Sequence, residues 1–300
     1  MDLGEITSNR RAGILAMRLS RHLPPKLGYI LADTVAKTFA SRRDLTLVQG
    51  IRANQWIISR KRASSKNLDL STYAVLRNIT RAFYDLFHYS SDKPAMLGRV
   101  LDSPEVVKLI EGSQSGSQGL IVCGIHMSDF DLAYQSVTLK GLHSIGLSLP
   151  EANEAIAWQH ELRYRVGIEI LPATMLNLRR VIQRLNEGEI LVTGIDRPIS
   201  TCKLPLHFFG ELANLPVHHV QLALMVDVPL IVMAVFRQQD GRCRVKASEL
   251  IYVKRLQNRE VELRQNAEII LEIAEGFIQQ APDQWAMFHS VWPEAIDRIL

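Results

Sequence analysis

The sequence predicts an α/β protein in which a central, mostly parallel sheet is flanked by helices and preceded by a helical N-terminal region. Three observations carry this reading. Residues 1–110 hold few β-branched runs, and their apolar residues repeat at three and four, as helices require. From residue 111 onward, short apolar runs alternate with helical patterns, the sign of strands covered by helices. Polar clusters recur where apolar runs end, as in a fold that keeps its chemistry at strand ends. With 300 residues, 47% of them hydrophobic and 22% charged, the chain belongs to the folded globular class, and 111–300 reads as one continuous α/β core.

In chain order, the first helix is predicted over Arg10 to Leu23. On a helical wheel Ala12, Leu15, Ala16, Leu19 and Leu23 fall within about 100° of one another, while Arg10, Arg11, Arg18 and Arg21 cluster on another side. Pro24 and Pro25 end it. Such a helix either docks its stripe on the core or lies at an anionic bilayer surface, so 1–110 is a candidate for peripheral membrane contact. Tyr73, Leu76, Ile79, Phe83, Leu86 and Phe87 mark a second stripe. "EGSQSGSQG" (111–119) has no lysine and no GK[ST] ending, so it reads as a connector and not a phosphate loop. Strands are then expected at 120–123, 144–149, 168–171, 190–193, 230–236 and 244–248. Helices are expected at 130–140, 153–166, 175–187, 214–227 and 261–280.

Several function classes are excluded or weakened. Thirty-five Lys and Arg against 31 Asp and Glu give a formal charge of +4, a mild bias toward anionic partners. No arginine-rich groove motif or aromatic-interleaved basic strand supports nucleic acid. Cys123, Cys202 and Cys243 lie far apart without CxxC spacing, which fits a reducing, cytoplasmic setting better than a disulfide framework or a zinc site. Met1 to Gly13 lacks a signal-peptide core. The apolar run from Val228 to Phe236 is far short of the roughly 18 to 20 residues that cross a bilayer, so membrane contact is expected to be peripheral.

The sharpest signal is "LIVCGIHMSDFDL" (120–132), where a strand runs into one histidine and two acids. A histidine beside a fixed carboxylate makes a general base near neutral pH. Five positions apart on an ideal helix point about 140° from each other, so His126 must stand outside the helix for Asp131 to reach back to its ring. Asp129 is the local competitor, or a helix-start residue. The plainer alternative makes His126 a capping or packed histidine. His126, Asp129 and Asp131 could also suit a divalent cation, as in a metal-dependent hydrolase. "LVTGIDRPIS" (191–200) places Asp196 and Arg197 after a second strand, with Lys203 beyond: a surface turn, or an acid and cations around an anionic substrate group. His218 and His219 are adjacent, diverge, and read as helix-start or surface residues. Phe130, Leu132, Tyr134, Phe208 and Phe209 are either core or the lining of an apolar groove.

The order of these segments resembles the bacterial lipid A biosynthesis acyltransferase family, within the lysophospholipid acyltransferase-like superfamily that also holds phosphatidylinositol mannoside acyltransferases. "HMSDFD" is similar to the family's H-x4-[DE] motif and "GEILVTGIDRPI" to its second strand ending in an acid. "KLPLHFFG", "PLIVMAVFRQQDGRCRV" and the closing "QQAPDQWAMFHSVWPE" with His289 match the later segments. The resemblance implies a glycerolphosphate acyltransferase-like fold and transfer of a fatty acyl group from acyl-CoA or acyl carrier protein to a hydroxyl of a membrane lipid or glycolipid. It implies His126 as general base, Asp131 orienting it and Asp196 supporting the site. Asp129, Arg197, Lys203, Phe130, Phe208 and Phe209 become substrate-binding candidates. No metal or cofactor beyond the co-substrate is implied, and the expected location is the cytoplasmic face of the inner or plasma membrane. A catalytically inactive lipid-binding member of the fold is the other reading. One departure stands in "GLSLPEANEA", where Leu149, Pro150 and Glu151 replace an arginine usual in members acting on lipid A; Arg197, Lys203 or Arg179 are candidate substitutes.

Overall fold

Strands β1 (Leu120–Gly124), β2 (Ser144–Ser148), β3 (Glu169–Pro172), β4 (Ile190–Gly194), β7 (Leu230–Arg237) and β8 (Cys243–Ala247) form one sheet in the order β3-β2-β4-β1-β7-β8. All neighbours run parallel except β8, which returns antiparallel to β7. A separate hairpin pairs β5 (Leu206–Phe208) with β6 (Glu211–Ala213), an element the sequence pattern did not announce. The computed structural model describes residues 10–148, 154–199 and 204–299.

The near-continuous apolar strands are apolar because both faces of the sheet are covered. One face, with Val122, Ile190, Ile231 and Val235, packs against α6 (Pro104–Ser115) and α7 (Phe130–Leu139). The other, with Ile121, Cys123, Leu191, Val232 and Ala234, packs against α9 (Met175–Asn186), α10 (His218–Val226) and α11 (Arg259–Gln280). The expected connector is shorter than the sequence suggests. Helix α6 runs through Ser115 and ends at Gly116, whose left-handed φ of 58° makes it the helix stop.

The chain leaves β1 through α7 toward β2 on one side of the sheet, and leaves β4 through α10 toward β7 on the other. The two neighbouring strands therefore send their connections in opposite directions, which opens a crevice beyond their carboxyl ends; in open α/β sheets ligands bind there.

The N-terminal helices α1 (Arg10–His22), α2 (Pro25–Ala40), α3 (Thr46–Ile58) and α4 (Ser65–Tyr89) pack beside this sheet, and α5 (Lys93–Leu97) follows. In α4 the predicted stripe is the buried one, with Leu76, Ile79, Leu86 and Phe87 in the core. In α1 the large residues of the predicted stripe do not dock on the core: Leu15 and Leu19 are exposed, whereas Met17 and Ser20 are buried, Ala16 is partly buried and Gly13 abuts Trp158. Helix α2 does the same. Gly28, Ala32 and Ala36 are buried, with Gly28 against the Tyr84 ring of α4, while Leu27, Ile30 and Leu31 face out. Small residues let both helices approach closely, and the close approach leaves the larger side chains outside. Among the described residues no helix is long and apolar enough to cross a membrane.

Candidate active site

The site arises from strand register. Gly124 of β1 pairs with Gly194 of β4, and His126 and Asp196 each lie two positions beyond their glycine. Parallel neighbours sit about 4.8 Å apart, so equal offsets bring the two side chains together across the crevice. His126 Nδ1 lies 2.6 Å from Asp196 Oδ1, and the His126 backbone N–H donates to Oδ2 at 2.9 Å. Trp285 Nε1–H donates to the same Oδ2 at 2.8 Å. The acid is fully buried, while 27% of the imidazole side chain remains exposed, open on one side to a reactant.

Burial alone would push the Asp196 carboxyl up. The charge on His126 and the hydrogen bonds from its ring, from Trp285 and from the His126 amide more than offset this and hold it below the usual carboxylate range. An ionised carboxylate can only accept, so Nδ1 carries the proton and Nε2 is left as the acceptor. Gly194 makes room for the ring, since a Cβ there would come within 2.9 Å of His126 Cε1. The Phe130 ring meets the imidazole edge-on, with centroids 4.9 Å apart.

The closing segment straps the histidine turn in place. Ala286 N–H donates to His126 O at 2.8 Å and Ser128 N–H to Gln284 O at 2.7 Å. Asn54 of α3 in turn binds the carbonyls of Met287 and His289 and the N–H of Val291. The His289 imidazole is pushed down to about 4 by burial, with the charges of Arg197 and His126 adding to the effect. His289 is thus neutral beside the pair.

The expected pairing of Asp131 with His126 does not form. Asp131 stands in the first turn of α7 and takes a two-pronged bond from Arg163 of α8 (Glu154–Tyr164), at 2.9 and 3.0 Å, with Gln135 at 3.2 Å. Asp129 is not exposed to a substrate either. It is buried, accepting from Ser128 Oγ at 2.8 Å and from Arg237, which also pairs with buried Asp85 at 2.8 Å. Arg99 and Tyr29 complete that network on Asp85. With both acids taken by arginines, His126, Asp129 and Asp131 present no converging donor set for a cation, and the described residues hold no cluster of three His, Cys, Asp or Glu fit for a metal.

Among the other candidates, Phe208 is core: fully buried, it stacks on Trp292 at 5.6 Å. Leu132 is buried as well, and Tyr134 bonds Ser144 at 3.0 Å. Phe209 is partly buried beside Trp285. Arg197 is partly buried and follows the acid directly; burial lowers its pKa, and Asp196 opposes that. Lys203 and Leu149 to Glu151 lie outside the described residues. Arg179 is exposed on α9. His218 starts α10 with Nε2 2.7 Å from Thr193 Oγ1, but His219 is fully buried and not a surface residue. The pairing of His126 with Asp196 had a signal in the sequence, the matching "GIH" (124–126) and "GID" (194–196) after two apolar runs.

Because Asp131 and Arg163 are largely buried, removing one partner strands the other's charge. Asp131→Asn is expected to cost on the order of 3 kcal/mol of stability, read as a fall in chemical-denaturation midpoint at unchanged slope. The double variant Asp131→Leu/Arg163→Met is expected to recover most of it.

A doubly wound α/β sheet with a histidine and a buried carboxylate at its switch point defines the class of protein. The chain belongs to the bacterial lipid A biosynthesis acyltransferase family, whose family model matches residues 11–294. It is therefore an acyltransferase of lipid biosynthesis, with an acyl donor and a lipid acceptor. Among curated proteins no match is found.

Proposed function

We propose that the protein moves a fatty acyl group from an acyl thioester, acyl-CoA or acyl carrier protein, to a hydroxyl of a membrane lipid or glycolipid, with His126 as general base and Asp196 as the carboxylate that orients it. The His126–Asp196 pair in the crevice between β1 and β4 is the observation that carries this reading. A hydroxyl becomes a competent nucleophile only as its proton leaves. Nε2 takes that proton while the oxygen attacks the thioester carbonyl, and Asp196 stabilises the imidazolium. The tetrahedral intermediate then expels the thiolate, which recovers the proton as a thiol, leaving an ester and no covalent enzyme intermediate. Arg197, which follows Asp196 in the chain, is the cation we assign to the oxyanion.

The acceptor resides in a bilayer, and the N-terminal helices supply the docking surface. Leu15, Leu19, Leu27, Ile30 and Leu31 are exposed on α1 and α2, and between Glu5 and Asp33 the sequence holds five Lys and Arg and no acid. Exposed apolar side chains in a stretch of sequence rich in cations match an anionic lipid surface. The enzyme then works as a peripheral protein on the cytoplasmic face.

The decisive assay supplies radiolabelled acyl-CoA and, separately, labelled acyl carrier protein to the purified protein with lipids extracted from cells lacking it. Alkali-labile label in a lipid, matched by released thiol, is expected with at least one donor. Label appearing only as free fatty acid, or no thiol release with either donor, would overturn the transferase reading.

A further inference from the structure

A cleft of about 690 Å³ opens between the end of α1 and the end of α4, lined among others by Arg21, His22, His88, Tyr89, Ser91 and Asp92. None of the residues of the His126–Asp196 site lines it. Its charge is uneven. Arg21 forms no ion pair among the described residues, and His22 lies beside it in the last turn of α1. The one carboxylate, Asp92, is committed to the N-terminus of α5, where Oδ1 accepts the Ala95 N–H at 3.0 Å. His88 spends Nδ1 on the Ser20 carbonyl at 2.6 Å, with the Tyr84 hydroxyl 3.1 Å from the same nitrogen, which fixes the ring. Leu19 on α1 and Leu27 on α2, each 54% exposed, lie within a few residues of the lining residues Arg21, His22 and Pro25 in sequence.

We infer that this cleft is a second lipid-binding site, taking the phosphate of an anionic membrane lipid whose acyl chains lie along Leu19 and Leu27. The inference rests on the membrane docking proposed above. An arginine with no ion-pair partner among the described residues, sharing one cleft with the His22 imidazole and the Ser91 hydroxyl, offers donors to a tetrahedral anion. Exposed leucines a few residues from the cleft's lining in sequence suit a ligand with a charged head and a hydrocarbon tail, and a soluble anion would not need them. Binding there anchors α1 and α4 to one headgroup while the crevice at β1 and β4 remains open for the acceptor.

The test is calorimetric titration of the full chain with dihexanoyl phosphatidate, dihexanoyl phosphatidylcholine and inorganic phosphate. Saturable binding of phosphatidate is expected, well above either comparison ligand. R21Q/H22Q should weaken it by about 10-fold or more, the worth of one charge-assisted hydrogen bond. R18Q/K26Q, which removes at least as much positive charge outside the cleft, should leave it unchanged. Equal weakening by both double variants means diffuse attraction and overturns the site. Inorganic phosphate binding as tightly as the lipid, or absence of saturable phosphatidate binding, overturns it too. The docking surface is read separately, by sedimentation of L19S/L27S with phosphatidylcholine vesicles containing phosphatidate. Unimpaired sedimentation there refutes the docking face and leaves the titration standing.

Discussion

His126→Ala is expected to lower acyl transfer by about 10²- to 10⁴-fold, the usual worth of a positioned general base, with little change in fold. The effect is large because no second side chain can replace the ring. Asp196 is buried behind it and hydrogen-bonded to Trp285, and His289 is outside the Nδ1–Asp196 arrangement that would raise its basicity. Asp129 and Asp131 are neutralised by Arg237 and Arg163. The fold should survive, since the contacts that hold the turn are backbone ones, the Ala286 N–H on the His126 carbonyl and the His126 N–H on Asp196, although buried Asp196 loses its ring partner and stability should fall measurably. Initial rates at saturating donor, with thermal unfolding of the same sample, separate chemistry from folding. Loss of activity that tracks loss of folded protein would count against a catalytic role, and an unimpaired rate in a folded variant would sink it.

The fold was legible in the sequence to the extent that each element buries a continuous apolar set. The six strands of the main sheet fall within one or two residues of the apolar runs, because a strand covered on both faces has to be apolar throughout. The short hairpin β5–β6 had no such run to announce it. Helix α1 was legible as a helix, but the wheel left two orientations open, the leucine stripe docked on the core or turned outward. Here Gly13, Met17 and Ser20 face the protein, and the leucines do not. Local spacing paired His126 with Asp131, and the structure pairs its ring with Asp196 instead. H-x4-D is a short-range pattern, whereas the carboxylate that reaches the ring comes from 70 residues away through a parallel register. Asp131 answers to Arg163, a partner that no local spacing connects to it.

Asp196→Asn should come close to His126→Ala in severity, about 10²- to 10⁴-fold, through the tautomer and not through lost bulk. Two N–H groups, from the His126 backbone and from Trp285, point at Oδ2, so the asparagine carbonyl must take that position. Its NH2 then faces Nδ1, where the carboxylate had accepted a proton. The amide donates to Nδ1, the ring proton moves to Nε2, and the atom that should receive the substrate's proton is already occupied. The pH dependence separates this from a merely structural loss. In the folded protein Asp196 has a pKa below the ordinary value, so the stability it contributes is complete above the unfolded value of about 3.9 and is lost as pH falls through the folded one. Between about pH 5 and 8 the acid therefore stays ionised, so the Asp196→Asn deficit should hold across that window, whereas wild-type stability should fall only as pH drops below the unfolded carboxylate value. Asp131→Asn should reduce the rate far less. A greater loss at Asp131 than at Asp196 in folded variants would show that the buried carboxylate does not govern the histidine.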